Sequence, residues 1–498
     1  MKRYAILTHS FLGFSKCYPA FCMGLFLALG MSVYLSSSFL PMLFAFPFWL
    51  AVYKDKKFIL FSTLMLLLGY SLSYFNHVSL KEENIEGQGY FTVDRYIPSS
   101  FNKKILCFGK IHSFTTLNGL KYKNLPVCIS CSYSKRLKGN LKYLVEGKLL
   151  RKEFSYFLKK YQIKDKKKRF SLVEMRYLAK WKTKDFFSRY LTNSNSKKLV
   201  AGLVTGDFND QFIRYSFSKL GISHVMAISG LHFSLLIALV FFLLRLFLPL
   251  QYVNYLLGIL ATLYFLFIGP SASIQRAWIM IMCFILSQII NKNYQPINAL
   301  GFAFLVLLLI DPNIIKNLGF QLSFLSVMAI LIYFPSFRSF VNKLFPIRPK
   351  ETVASFSHFS RISYFLLRFI INGFSLSFCV SVIIFPVLMY HFHTFPILSL
   401  FYNLFMPLFI GIILLFSFII LLVHMVLPFL TIFLAKILDV FSSFVLHYAF
   451  FTPPFLNVQI RMKNFSFSLT IFLLIFQMII LLPWVFRKKR GSQPFEFI

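Results

Sequence analysis

The sequence predicts a polytopic α-helical membrane protein of about twelve spans that carries one inserted, strongly basic β domain. Hydrophobic residues make up 57% of its 498 residues, which is more than water-soluble domains usually contain. Many of its apolar runs approach the roughly 20 residues that cross a bilayer. The charge is concentrated between those runs: residues 81–200 hold 28 Lys and Arg against 9 Asp and Glu.

The net charge of +37 indicates an anionic partner. Lipid headgroups, nucleic acid, or both would satisfy such a balance. The densest basic run extends from Lys159 to Arg169. A solvated linker is the simplest interpretation of that run, and a contact with a membrane surface or with DNA is the alternative.

The apolar segments predict both the number of spans and their direction. They lie near 18–36, 39–53, 58–76, 222–244, 252–269, 273–290, 298–310, 318–334, 366–389, 399–423, 427–449 and 467–486. Short loops rich in Lys and Arg stay in the cytoplasm. Such clusters lie at 54–57, 338–368 and 487–490. Both termini are therefore predicted to be cytoplasmic, and the basic domain is predicted to lie outside the cytoplasmic membrane.

The same pattern predicts five regions. They are N-terminal membrane helices at 1–79, a β domain at 80–155, a basic helical connector at 156–220, a membrane domain at 221–486 and a cytoplasmic tail at 487–498.

Short alternating runs predict the strands of the β domain, at Lys104–Ser113, Leu125–Ser132 and Leu141–Leu150. Asn118-Gly119 between the first two predicts a hairpin. The domain is predicted to be a small barrel or a sandwich. Cys128 and Cys131 form one C-x-x-C without a second pair, which argues against zinc. We interpret them as strand residues, with a disulfide or redox role as the alternative.

Three polar clusters interrupt the apolar segments, at 221–232, 269–277 and 319–323. In a single helix His224 and His232 would share one face. Arg276 would follow a Gly-Pro break by about one turn. Because an unpaired arginine is costly inside a membrane, it must face water, a phosphate or an acid, and Asp311 and Asp439 are the candidate acids.

These clusters, in this order, resemble the membrane domain of the ComEC-type competence family of DNA internalisation channels. The family run His-Leu-Leu-Ala-Ile-Ser-Gly-Leu-His is matched at 224–232, with Val225 and Met226 substituted. Further matches are Ser273, Arg276, Ala277 and Met280, then Asp311-Pro312, Gly319–Phe324, Pro386 and 400–403. The β insert, with Gly139 and the strand at 145–149, looks like the family's OB-like extracytoplasmic domain. The resemblance spans about residues 60–485.

The resemblance implies a channel that conducts single-stranded DNA across the cytoplasmic membrane during natural transformation. It implies no enzyme activity, no cofactor and no metal. The implied partners are single-stranded DNA, the lipid bilayer and uptake-machinery proteins (a DNA receptor and a cytoplasmic translocase). The candidate channel-lining residues are His224, Ser229, Gly230, His232, Gln275, Arg276, Gln321 and Ser323. Hydrogen bonding between helices is the alternative role for each of them.

An OB-like barrel binds a strand through a basic groove and stacking aromatic rings. The candidate DNA-binding residues are Lys110, Lys121, Lys123, Lys135, Arg136, Lys138, Phe108 and Tyr122. The alternative is that these lysines only keep an exposed domain soluble.

The sequence departs from the family at its C-terminal end. Many members continue into a metallo-β-lactamase-like domain, whereas this chain ends about a dozen residues after its last predicted span. We therefore expect that domain to be missing. His391-Phe392-His393 lacks the acid and the histidine that such a metal site needs.

Two other function classes remain open. A small-molecule or ion transporter would explain the spans but not the basic insert. An enzyme that acts on lipid or glycan could use His224 or His232 as a base, but it would want carboxylates nearby, and the spans offer almost none.

Overall fold

A computed structural model describes residues 18–36, 56–76, 84–99, 104–116, 121–132, 136–152, 155–168, 170–208, 210–226, 229–450, 458–474 and 476–477. Its helices are α1 Pro19–Ser36, α2 Lys56–Asn76, α3 Leu172–Tyr190, α4 Ser194–Thr205, α5 Gln211–Lys219, α6 Ser223–Met226, α7 Gly230–Arg245, α8 Leu250–Ile268, α9 Ala272–Ile289, α10 Pro296–Ile310, α11 Leu318–Met328, α12 Phe334–Leu344, α13 Lys350–Ala354, α14 His358–Phe392, α15 Ser399–Val426 and α16 Pro428–Phe450. A 3₁₀ turn, Pro312–Lys316, precedes α11, and a π-helical turn, Ala329–Tyr333, joins α11 to α12.

Six described helices are long and apolar enough to cross a membrane. They are Leu250–Ile268, Ala272–Ile289, Leu318–Leu344, His358–Phe392, Ser399–Val426 and Pro428–Phe450. Shorter apolar helices occur at Pro19–Ser32, Ile59–Tyr74, Gly230–Arg245 and Pro296–Ile310. The predicted span near 39–53 lies outside the described residues, and the one near 467–486 is described only at 467–474 and 476–477. The total of about twelve therefore stays a prediction.

The two N-terminal helices pack into the same bundle as the helices that follow the insert. A Cβ atom at Gly69 of α2 would overlap the carbonyl of Leu27 in α1, and one at Gly301 of α10 would overlap the backbone of Phe21 in α1. Glycine lets helix backbones approach this closely inside a membrane. Residues separated by the whole basic insert are thereby brought together.

The insert is a closed barrel of five strands, which decides between the two predicted β architectures. The strands are β1 Asn84–Ser99, β2 Lys104–Thr116, β3 Lys121–Ser132, β4 Leu141–Lys152 and β5 Ser155–Lys168, in the spatial order β1-β2-β3-β5-β4. β3 and β5 pair in parallel, with Val127 opposite Tyr156, and the other pairs are antiparallel. Alternate side chains such as Phe91, Ile111 and Val145 fill the interior.

The pairing confirms the predicted hairpin, because Thr115 of β2 lies opposite Lys121 of β3. The predicted boundary at residue 155 is wrong, because the connector was expected to be helical from 156 and β5 extends to Lys168. Tyr156 and Leu158 point into the core and supply the alternation of a strand, but the surrounding lysines obscure it in the sequence. The helical connector begins instead at Leu172.

Glu174 of α3 fastens the barrel to the connector. Its carboxylate accepts two hydrogen bonds from Arg136 and one each from Tyr96 and the Gly139 backbone. Burial alone would raise the pKa of Glu174, but these bonds and the charge of Arg136 outweigh it and leave the pKa below its usual value. The stabilisation is therefore present above the unfolded pKa of about 4.3 and is lost as the pH falls through the lower folded value.

Removing the Glu174 carboxylate is expected to destabilise the protein far more than removing an exposed one. Glu174→Ala leaves Arg136 buried without its partner and is expected to cost about 3 kcal/mol of unfolding free energy. The matched control is Glu86→Ala, because the Glu86–Lys148 pair is 57% and 44% exposed and such pairs contribute about 0–1 kcal/mol. Thermal unfolding of the purified full chain measures both. Equal losses of stability would contradict the assigned role of Glu174.

Candidate functional site

The three polar clusters of the sequence meet around the side chain of Arg276. This residue lies in the second turn of α9 and is only 7% exposed. Its Nη1 donates a hydrogen bond to the carbonyl of Ser323 in α11. The ring of Phe324 lies 5.9 Å from its Cζ. Its Nη2 lies so close to Gly230 of α7 that a Cβ atom there would overlap it. The guanidinium thus touches all three regions.

Local sequence determines where α7 and α9 begin beside Arg276. Gly269 has a φ of 94°, a left-handed conformation that favours glycine, and with Pro270 it separates α8 from α9. Ser229 caps α7, because its Oγ accepts from the His232 amide while His232 Nδ1 accepts from the Ser229 amide. The predicted single span over 222–244 is therefore wrong in its first turns, because the apolar helix α7 begins at Gly230.

That helix start also revises the predicted relation between the two histidines. His224 lies on the separate four-residue helix α6 and is exposed. His232 lies in α7 and is 1% exposed. The residues do not share one helix face as predicted, because the chain leaves the helical conformation at the Ser229 cap.

Several buried polar atoms near the helix starts lack a hydrogen-bond partner within the described part of the chain. They are His232 Nε2, Arg276 Nε and Ser323 Oγ. No carboxylate of the described residues forms an ion pair with Arg276. The positive end of the α7 dipole lies beside the same guanidinium. This arrangement is suited to an anion, because a buried cation without a counter-charge is costly.

Neither predicted acid is the partner of Arg276. Asp311 is exposed, and its Oδ1 accepts from the Asn313 amide at the start of the 3₁₀ turn. Asp439 of α16 accepts from the Thr192 hydroxyl and from the amides of Thr192 and Asn193. Both expectations were wrong because each carboxylate caps nearby backbone instead.

The other candidates of the membrane domain surround this site less directly. Gln275 is half-buried next to Arg276 on α9. Gln321 is also half-buried, and its Nε2 donates to the carbonyl of Ile315 at 2.9 Å. Gln321 therefore holds the 3₁₀ turn against α11.

Arg136 of the barrel occupies a structural position and not an open surface. Its side chain is 12% exposed and binds Glu174 with N–O distances of 2.6 and 2.9 Å. The rings of Tyr96 and Tyr177 lie 4.9 and 3.9 Å from its Cζ. Because both Nη groups bind Glu174, Arg136 joins the barrel to α3, and its predicted role in DNA binding stays a prediction. No local sequence pattern indicates this contact, because Glu174 lies 38 residues away.

The remaining barrel candidates fall into two groups. Lys110 and Lys138 are exposed, and Phe108 and Tyr122 are half-buried. Lys121 and Lys123 belong to β3, but their side chains are not among those that the structure describes. Lys135 lies outside the described residues.

Sequence reasoning missed three cation–aromatic contacts, to two rings, on the outside of the barrel. Arg95 of β1 lies with its Cζ 5.3 Å from the Phe108 ring. Lys142 of β4 and Lys167 of β5 lie opposite each other, with their Nζ atoms 4.8 and 5.9 Å from the Tyr90 ring. The alternation of β1 could have revealed Tyr90, because Gly89 and Phe91 on either side of it point inward.

Helix α3 joins the barrel to the membrane helices. Arg176 Nε donates to the carbonyl of Leu266 near the end of α8 at 2.7 Å. Lys180 and Lys184 bind Asp207 at 3.0 and 3.4 Å. Since Glu174 in the same helix holds the barrel, α3 contacts both the barrel and the end of α8.

The sulfur and imidazole groups form no metal site in the described residues, where no three His, Cys, Asp or Glu side chains form a group that could hold an ion. Cys128 and Cys131 are buried thiols without a disulfide. Cys131 Sγ lies 3.3 Å from the Tyr161 hydroxyl.

Comparisons with known proteins match the membrane domain. A family model described as Competence protein matches residues 205–487, more than half of the chain. ComE operon protein 3 of Bacillus subtilis is 26% identical over 223 residues, which are 44% of this chain and 25% of that relative. The match thus covers a quarter of the relative's length. No solved structure matches the chain.

Two buried arginines allow a test of the missing counter-charge. Arg276→Met removes a cation without a carboxylate partner and is expected to leave thermal stability unchanged or raised by about 1 kcal/mol. Arg136→Met leaves Glu174 buried and alone and is expected to cost about 3–5 kcal/mol. Thermal unfolding of the full chain in detergent compares them. A large loss of stability in Arg276→Met would contradict this expectation, because it would show that a negative charge within the protein compensates the charge of Arg276.

Proposed function

The chain belongs to the competence protein family, and on this premise we propose that it conducts single-stranded DNA across the cytoplasmic membrane during DNA uptake. Family membership supports a role in competence and DNA uptake. The observation that carries the finer proposal is Arg276, a buried cation among polar groups from three helices with no carboxylate partner in the described chain. A passing phosphodiester would supply that missing negative charge.

The path proposed for the strand follows the polar atoms of α7, α9 and α11. Phosphates cannot cross hydrocarbon, so they need a route lined by donors. His232, Arg276 and Ser323 provide buried polar atoms that are not used within the described structure. Hydrogen bonding between helices would have used those atoms, and their lack of partners therefore favours a lining role over a packing role.

We further propose that the barrel is of the OB type and makes the first contact with the strand. The strand order β1-β2-β3-β5-β4 and the parallel β3–β5 pair support this assignment. Lysine–tyrosine and arginine–phenylalanine pairs on its outside suit sequence-independent binding by charge and stacking. The short basic loops favour the cytoplasmic side of the membrane. The barrel is therefore placed on the other side, outside the cytoplasm.

The proposed partners follow from this arrangement. They are single-stranded DNA, the lipid bilayer, a receptor that delivers DNA to the barrel and a translocase on the cytoplasmic side. We assign no catalytic step and no cofactor to the chain. The proposal treats it as a conduit whose selectivity lies in charge and stacking.

The barrel surface predicts a salt dependence that can be measured. For single strands, the logarithm of the binding constant falls with a slope of about −0.7 per neutralised phosphate. Replacing both Lys142 and Lys167 by Ala is therefore expected to make that slope shallower by about 1.4. The assay is anisotropy of a labelled oligonucleotide with the detergent-solubilised full chain over a range of salt. Lys148→Ala is the matched control, because Lys148 already pairs with Glu86. An unchanged slope in the double variant would remove this surface from the proposal.

A single methyl group is expected to block passage. Gly230→Ala places a Cβ atom where Arg276 Nη2 lies and displaces the guanidinium. DNA entry is expected to fall at least roughly tenfold, equivalent to about 1.4 kcal/mol in the barrier. Gly258→Ala is the control, because its Cβ atom would meet Met282 at an ordinary 3.6 Å. Uptake of labelled DNA into the cytoplasm, normalised to membrane-inserted protein, gives the readout. Equal uptake by both variants would argue against a path beside Arg276.

A further inference from the structure

The start of α14 carries a group of basic side chains that the proposed path does not use. Helix α14 has 35 residues, about 52 Å at 1.5 Å per residue, whereas a span needs only about 20 residues. Its first turns therefore extend to a membrane surface. Between residues 334 and 370 the chain has six Lys and Arg and one acidic residue, Glu351.

The loop at 345–357 folds onto one face of these first turns. Arg361, Tyr364 and Arg368 lie three and four residues apart and so share that face. The Tyr364 hydroxyl accepts from the Arg348 amide at 3.1 Å and from Arg368 Nε at 3.3 Å. Arg361 Nη2 donates to the Ala354 carbonyl at 2.6 Å. These contacts hold both guanidinium groups in place.

Arg368 is held so that its remaining donors are unused. Its Nη1 and Nη2 are both buried and have no hydrogen-bond partner among the described residues, and the same holds for Arg361 Nε. No carboxylate of the described chain forms an ion pair with either arginine. The two free nitrogens of a guanidinium form a planar fork that fits two oxygens of one phosphate.

The surroundings of the fork identify the source of that phosphate. The outward face of the same turns is apolar, with Phe359 81% exposed and Ile362, Phe365 and Leu366 each more than half exposed. Acyl chains can cover such side chains, whereas a nucleic acid offers nothing equivalent. The basic loops also favour the cytoplasmic side, where the leaflet is anionic.

We propose that the face formed by Arg361, Tyr364 and Arg368, together with the loop at 345–357, binds the phosphate of an anionic phospholipid. The chain atoms that cover the Nη groups of Arg368 move aside on binding, so that both groups donate to the phosphate oxygens. The exposed phenylalanine and leucine side chains contact the acyl chains. The bound lipid then fixes the loop against α14 at the membrane surface. This site is independent of the path beside Arg276.

Thermal unfolding of the full chain in detergent tests the site, with phosphatidylglycerol or phosphatidylcholine added. Phosphatidylglycerol is expected to raise the unfolding temperature of the wild type more than phosphatidylcholine does. Arg368→Gln is expected to lose most of that difference while matching the wild type in phosphatidylcholine. Arg245→Gln is the matched control and is expected to keep that difference, because Arg245 is an exposed cation at the end of α7.

Three outcomes would overturn the proposal. One is a full phosphatidylglycerol shift in Arg368→Gln. Another is an equal shift with inorganic phosphate, which would indicate a free anion. The third is a shift with a single-stranded oligonucleotide that Arg368→Gln abolishes, which would indicate nucleic acid. If Arg368→Gln is not recovered folded, Arg368→Lys keeps the charge without the fork. A reduced shift in it supports the site, and a full shift overturns it.

Discussion

The side chain of Arg276 is the point at which three helices of the membrane domain meet. A guanidinium in an apolar bundle must keep its donors occupied, and here one donor reaches the Ser323 carbonyl while another lies against Gly230. Three helices therefore have to meet at fixed heights: α7 must begin at its serine cap, α9 must begin just after Gly269-Pro270, and α11 must present a carbonyl. The same geometry leaves polar atoms without partners among the described residues, and the proposed path rests on that observation.

The connector α3 joins the barrel to the membrane helices. At one end of the helix, Glu174 binds Arg136 and Gly139. At the other end, the helix leads into a loop in which the Thr192 amide donates to the carboxylate of Asp439. Arg176 contacts the end of α8 between them, three residues before the Gly269-Pro270 break. Helix α3 therefore contacts both the barrel, where the proposed first contact with the strand lies, and the membrane helices.

Sequence patterns predicted those features that depend on local chemistry. Apolar length identified the described spans, and Asn118-Gly119 identified the β2–β3 hairpin. The ordered motifs placed Gly230, Arg276 and Ser323 in one set of candidate channel-lining residues. Sequence patterns did not reveal what a distant partner decides: Arg136 binds Glu174, and β5 is defined by the strands on either side of it. The break before α7 was within reach, because Ser229-Gly230 followed by His232 is a capping signal that the apolar pattern concealed.

Crosslinking of a strand stalled in transit would show whether DNA passes beside Arg276, as proposed. A photo-reactive residue would replace Gln275, next to Arg276, or Phe284, an exposed residue of the same helix. The DNA would carry a bulky block at its trailing end. If DNA passes beside Arg276, we expect crosslinks to DNA at position 275 and none at position 284. DNA that enters the cytoplasm without crosslinking at 275, or that crosslinks equally at both positions, would contradict it.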